Sequence, residues 1–158
     1  MAQALEIYFD IEAHSWKAQS GEVIRQDANL LDFYRQMMHR FAENQQAVVD
    51  LLLLDGQPIC GVLSLRYQRH LLTLKTAYRQ TFAKYSPGWQ IFRALLEDAF
   101  SGGAIEAVDF YADIGFSSRW ATQENAFCDL LVFGTSLRGR LAGVAKGVQD
   151  RLKKWVSI

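Results

Sequence analysis

The chain has 158 residues, with 17 basic and 17 acidic side chains and a formal net charge of zero at pH 7. Half of the residues are hydrophobic and 13% are aromatic, which suits one domain with its own core and excludes a mostly disordered chain, a collagen-like fibre or a low-complexity linker. Overall neutrality also argues against bulk electrostatic binding to nucleic acid. Cys60 and Cys128 show neither CxxC nor CxxH spacing. They are expected to be reduced thiols in a cytoplasmic protein, not a disulfide framework or a zinc site. His14, His39 and His70 lie on separate predicted elements without ligand spacing, so no metal is expected. The longest apolar run, Ala47 to Leu54 interrupted by Asp50, is far below the ~20 residues of a spanning helix. The first residues carry acids where an export signal carries bases, so no such signal is expected.

In chain order, the spacing of Leu5, Tyr8, Phe9, Ala13 and Trp16 predicts a helix over Ala2–Lys17. Glu12 falls on its apolar side and is the exception. The stretch Ser20–Gln26 permits a short strand or turn. Asp27 or Asn29 can cap a second helix over Leu30–Asn44, whose stripe is Leu30, Phe33, Tyr34, Met37, Met38 and Phe41. AVVDLLLL, the Asp55–Gly56 turn and PICGVLSLRY then read as a β-hairpin, and His70–Tyr78 as a third antiparallel strand. Ser86-Pro87-Gly88 opens a helix over Trp89–Phe100, which Gly102-Gly103 ends. AIEAVDFY reads as a strand, SSRWATQ as a short helical turn, AFCDLLVFG as a last strand, and Leu137–Val156 as a helix. This order predicts an α/β domain with a mixed, mostly antiparallel sheet flanked by helices.

Neutrality conceals a polarised chain. Residues 135–158 hold six bases and one acid, whereas the preceding 134 residues hold 11 bases and 16 acids. Leu137, Leu141, Val144, Val148, Leu152 and Trp155 recur at three and four, so the tail reads as a basic amphipathic helix. Such a helix can dock on its own domain, on a partner or on a membrane surface. The division expected from sequence is a domain over 1–134 and this helix over 135–158.

The junction KTAYRQTFAKYSPGWQIF runs from strand through a Ser-Pro-Gly turn to a helix N-terminus. Unpaired N–H groups and the positive end of the helix dipole suit an anion there, and glycine permits close backbone approach. Plain connection between strand and helix remains the alternative.

Several motifs together resemble the acyl-CoA N-acyltransferase (GNAT) superfamily, and within it the CelD-like domain associated with cellulose and exopolysaccharide synthesis, a relative of the FemAB transferases. They are Glu12-x-x-x-Trp16-Lys17 with Gly21, Leu54-Asp55-Gly56-Gln57-Pro58-Ile59, Lys75-x-x-Tyr78 and Phe82-x-x-Tyr85-Ser86-Pro87-Gly88. Asp109-Phe110 and Arg119-Trp120 complete the series. The resemblance implies acyl transfer from acetyl-CoA or another acyl-CoA to the amine of a small molecule or amino sugar, by direct attack without a covalent enzyme intermediate. It places cofactor binding on Lys75 in strand His70–Tyr78 and on Ser86, Pro87, Gly88 and Trp89, and substrate binding on Glu12, Trp16, Lys17 and Arg119. Tyr78 and Tyr85 are candidate acids for the leaving thiolate, and Asp109 is a candidate group for the amine proton. Each has a simpler reading: tyrosines at strand ends pack and make one hydrogen bond, Asp109 can bond backbone, and Glu12 and Lys17 can be a helix-surface pair.

Such domains usually stand second of two tandem copies, and this chain has length for one, so a second GNAT-like domain or a homo-oligomer is a possible partner. Arg79-Gln80 stands where these relatives carry Asp-Glu, and Phe116-Ser117-Ser118 where they carry Tyr-Lys. These departures admit a different acceptor or a non-catalytic scaffold module. A FemAB-like aminoacyl transferase using charged tRNA is the third reading, which the acidic body disfavours.

Overall fold

The computed structural model describes residues 1–111, 117–124 and 131–156. Helix α1 spans Ala2–Ala13 and stops earlier than its periodicity predicts. The Ser15 hydroxyl donates to the Glu12 carbonyl at 2.7 Å, taking the acceptor that a continuing helix would offer to the Trp16 amide. A separate turn of helix, α2 (Lys17–Ser20), ends at Gly21 in the left-handed region. The stretch expected as strand or turn contains a 3₁₀ turn, Ile24–Gln26. Asp27 is the cap of α3 (Ala28–Glu43): its carboxylate accepts from the Asn29 and Leu30 amides at 2.8 and 3.2 Å.

The hairpin and third strand form as expected: β1 is Ala47–Leu54, β2 Gln57–Tyr67 and β3 His70–Tyr78. Asp55 and Gly56 both have positive φ, 51° and 79°, the conformation a two-residue hairpin turn requires. After β3, a 3₁₀ segment (Gln80–Tyr85) leads to Ser86, which is left-handed, and then to α4 (Pro87–Ser101). The following strand is much shorter than predicted. Only β4, Ala107–Asp109, pairs, and it lies parallel to His70–Leu72. The strand stops because the Asp109 carboxylate turns back to accept the Tyr111 amide at 2.7 Å, and Tyr111 takes a φ of 61°.

Sheet order is β1-β2-β3-β4, antiparallel except for the last pair, in agreement with the expected mixed α/β architecture. Two buried clusters lie against it. Residues of α4 meet Ile59, Cys60, Val62, Leu71 and Ile105 in one, and residues of α1 and α3 meet Leu63 and Ala77 in the other. Gly61 lets α1 come close: a Cβ there would stand 2.9 Å from the Tyr8 ring.

The chain divides into two compact units, Met1–Trp120 and Ala121–Ile158. The second contains α5 (Leu137–Val156), at the bounds its periodicity predicts. Of the expected strand at 126–134, residues 126–130 lie outside the described set and 131–134 are not in a strand. Among the described residues no helix is long and apolar enough to cross a membrane.

Candidate active site

Among the described residues, the outer edge of β3 is paired with β4 only at its start. Which backbone groups it presents beyond that follows from the ladder. The Arg79 amide donates to the Ile59 carbonyl at 2.9 Å, so the 59–79 pair exchanges bonds with β2. Alternation makes 61–77 the next bonded pair and turns the amides and carbonyls of Thr76 and Tyr78 to the outer edge. One of these is used: Lys17 Nζ donates to the Thr76 carbonyl at 2.9 Å.

A bulge decides which side chains accompany that edge. The register slips by one between Leu63 and Ser64, which face Lys75 and Thr73, so Leu74 is the extra residue. Strict alternation from buried Leu71 would put Lys75 on the α4 face. After the slip, Tyr78 packs on the α4 cluster, Ala77 belongs to the α1 cluster, and Lys75 reaches Glu12 on α1.

Glu12 is fully buried. Its Oε2 accepts the Ile24 amide at 2.9 Å. Its Oε1 lies 3.5 Å from Lys17 Nζ and 3.9 Å from Lys75 Nζ and has no hydrogen-bond partner among the described residues. The simpler reading of Glu12 and Lys17 as a surface pair therefore fails for the carboxylate. Burial pushes the Lys17 ammonium down from its ordinary range, with neighbouring Lys75 adding to that and Glu12 opposing it. Tyr8 and Tyr34 border the cluster, and burial followed by the Glu12 charge pushes both phenols up. Neither tyrosine was singled out from sequence, because each reads as one more apolar position in a helical stripe. The sequence signals for the cluster are a carboxylate on the buried side of α1 and the motifs that contain Glu12, Lys17 and Lys75.

At the other end of the edge, Trp16 stacks on Tyr78 with ring centroids 4.6 Å apart. Ser86 accepts the Trp89 and Gln90 amides at 3.0 and 3.4 Å. Pro87 is buried as the first residue of α4 and brings no amide, which leaves that of Gly88 in the first turn. Among the described residues nothing in the packing demands glycine at 88. A Cβ would meet only Tyr78 Cδ1, at 4.0 Å, and the residue does not have positive φ. Space beside this turn is what a ligand lying against the backbone needs.

Trp89 packs on Trp120 at 5.1 Å, with the Arg119 guanidinium over its ring at 5.5 Å. Tyr85 is exposed, and the Lys84 ammonium lies over its ring. Arg79, one of the departures from the family pattern, is bound to the Asp10 carboxylate and to the Pro58 carbonyl. Asp109 is not gathered with the tyrosines: it pairs with Leu72, six residues and roughly 20 Å of strand before Tyr78. The structure thus brings Glu12, Lys17 and Lys75 together, and Trp16 with Tyr78. Trp89 and Arg119 form another pair. A cavity of about 230 Å³ between β1 and α4 is lined by Val48, Leu52, Leu95, Asp50 and Asp98 among others, and contains none of the residues singled out for the site.

Residues 1–117 match the family described as acetyltransferase (GNAT) domain. The chain belongs to that family. Solved acetyltransferase structures share the fold. PaiA N-acetyltransferase from Thermoplasma acidophilum, in complex with coenzyme A, superposes at a TM-score of 0.50 with 14% identity, over 75% of this chain and 81% of that one. AAC(6')-Iy in complex with the bisubstrate analogue CoA-S-monomethyl-acetylneamine gives 0.53 with 11% identity, over 82% and 93%. Aminoglycoside antibiotic 6'-N-acetyltransferase AAC(6')-Ih from Acinetobacter baumannii gives 0.53 with 11% identity, over 84% and 95%. At these identities the likeness is one of fold. No curated protein gives a significant match.

Proposed function

We propose that this chain is an acyl-CoA-dependent N-acyltransferase, CelD-like within its family, acting on a small amine or a sugar precursor of a polysaccharide. The observation that carries the reading is the outer edge of β3 beyond β4, where the Thr76 amide and the Tyr78 backbone groups run towards the glycine-bearing first turn of α4. An extended chain of amides can pair with such an edge. An anion at its end suits the Gly88 amide and the positive end of the α4 dipole. Coenzyme A has both parts, and as an acyl-CoA it would supply the thioester carbonyl that an amine attacks. A C–N bond would form as the C–S bond breaks, the proton lost by the amine balancing the one gained by the thiolate.

In this reading Tyr78 is the better placed acid, since it borders both the edge and Gly88, whereas Tyr85 is exposed. Asp109 lies beside Leu72, towards the other end of β3, and its Oδ1 accepts the Tyr111 amide. Trp89 and Arg119 extend the cofactor side of the site. The basic helix α5 and a second GNAT-like domain are proposed as partner-facing features. Acetyl-CoA should raise the melting temperature: at a hundredfold excess over Kd, binding to the folded state alone contributes about 2.7 kcal/mol, a shift of several degrees. Absence of a shift across acyl-CoAs of increasing chain length would replace this reading with the non-catalytic module.

A further inference from the structure

Two ammonium groups converge on one buried carboxylate and leave donors unused. Lys17 Nζ spends one donor on the Thr76 carbonyl and stands 3.5 Å from Glu12 Oε1. Lys75 Nζ stands 3.9 Å from the same oxygen and makes no hydrogen bond among the described residues. Glu12 is sealed from solvent, but the lysine side chains keep 15% and 23% of their surface exposed. Among the described residues one carboxylate thus stands within 3.9 Å of two ammoniums, with the Glu22 charge also acting on Lys17, in a partly desolvated site where a charge-assisted bond is stronger than at the open surface. Aromatic walls complete it. Lys17 Nζ lies 5.5 Å from the Trp16 ring centre and Lys75 Nζ lies 5.6 Å from that of Tyr34.

We infer that Lys17 and Lys75 bind the carboxylate of an acceptor that carries both an amine and a carboxylate. The inference rests on the acyltransferase reading for the role of the amine, and it deepens that reading by naming the acceptor class. Both lysines face the incoming anion, Glu12 holds them from the buried side, and the Thr76 carbonyl fixes Lys17 at the edge proposed to hold the acyl donor. The carboxylate would bridge the two ammoniums and present its amine along β3.

The test uses the whole chain and two probes that differ only in charge, β-alanine and β-alaninamide, at constant ionic strength. β-Alanine should raise the melting temperature saturably and bind at least tenfold more tightly than the amide, and Lys75→Met should abolish the difference. On the unsubstituted protein, the Lys17 and Lys75 Cε NMR resonances should move with β-alanine and stay in place with the amide, which keeps the proposal testable if Lys75→Met does not fold. Equal behaviour of the two probes, no binding of either, or unmoved lysine resonances would overturn it. An acetyl-CoA titration in parallel separates the two readings. A shift with acetyl-CoA and none with β-alanine keeps the acyltransferase and removes the carboxylate site, whereas the reverse keeps the carboxylate site and removes the acyltransferase.

Discussion

The two faces of the sheet are built from the same strands to different rules. Against α4, Ile59, Val62, Leu71, Ile91, Phe92 and Leu95 form a wholly apolar cluster. Against α1 and α3, Tyr8, Phe9, Ile11 and Leu63 are equally buried, but Glu12 lies beside them with two lysines as its ionic contacts among the described residues. Burying a carboxylate is unfavourable even when it is paired, and an apolar residue of similar volume is often as stable. On the α4 face, charge lies to one side of that cluster, where Asp50 and Asp98 line the cavity beside β1. On the α1 face a charge sits within the packing itself, and it adjoins the edge of β3 proposed to hold a ligand.

Removing one residue from each face gives the largest expected effects and separates the two rules. Phe92→Ala should cost about 3–5 kcal/mol through the cavity it leaves, with little dependence on salt. Glu12→Ala should cost a similar amount, about 3–5 kcal/mol, by leaving Lys17 and Lys75 opposed without their carboxylate. Its loss should shrink as salt rises and screens that repulsion. Urea denaturation at low and high salt measures both, and equal salt responses would erase the distinction between the faces.

A smaller effect appears on the alkaline side. Burial pushes the Cys60 thiol from an ordinary 9.0 up to about 12. The unfolded chain sheds this proton first, so the stability it contributes is fully present below pH 9.0 and is lost as pH rises towards about 12. Cys60→Ala should flatten that limb by up to about 1.4 kcal/mol per pH unit. Tyr8 and Tyr34 are raised in the same sense and add to the limb from the other face. The smallest effect concerns the entry to α3, where Asp27→Ala should cost about 1 kcal/mol by releasing the Asn29 and Leu30 amides. Thermal denaturation checks it, and a loss as large as that of Phe92→Ala would mean that the cap supports more than its helix.

What the sequence discloses follows what is local. The Asp55–Gly56 turn, the His70–Tyr78 strand and the Leu137–Val156 helix are written in adjacent residues and form where expected. The end of α1 at Ala13 depends on one serine hydroxyl, and the three-residue length of β4 on one aspartate turning back to its own chain. Neither alters the periodicity from which elements are read. Glu12 is visible as an acid on an apolar stripe, and Lys17 follows it in one motif, but the meeting of both with Lys75 is not: it depends on a one-residue slip in a strand 63 positions after Glu12. Asp109 is the opposite case: it follows the tyrosines in motif order, but β4 pairs it with Leu72 near the start of β3, whereas Tyr78 ends that strand.

The bulge at Leu74 bears on how residues of this strand may be equated with those of other proteins. Before it, Leu71 and Thr73 share a parity; after it, Lys75 and Ala77 have exchanged sides with Thr76 and Tyr78. An ungapped alignment with a strand lacking the extra residue would match every later position to one on the opposite surface. Roles could then be transferred faithfully in name and reversed in space, so Leu74 is the position at which any such correspondence has to be cut.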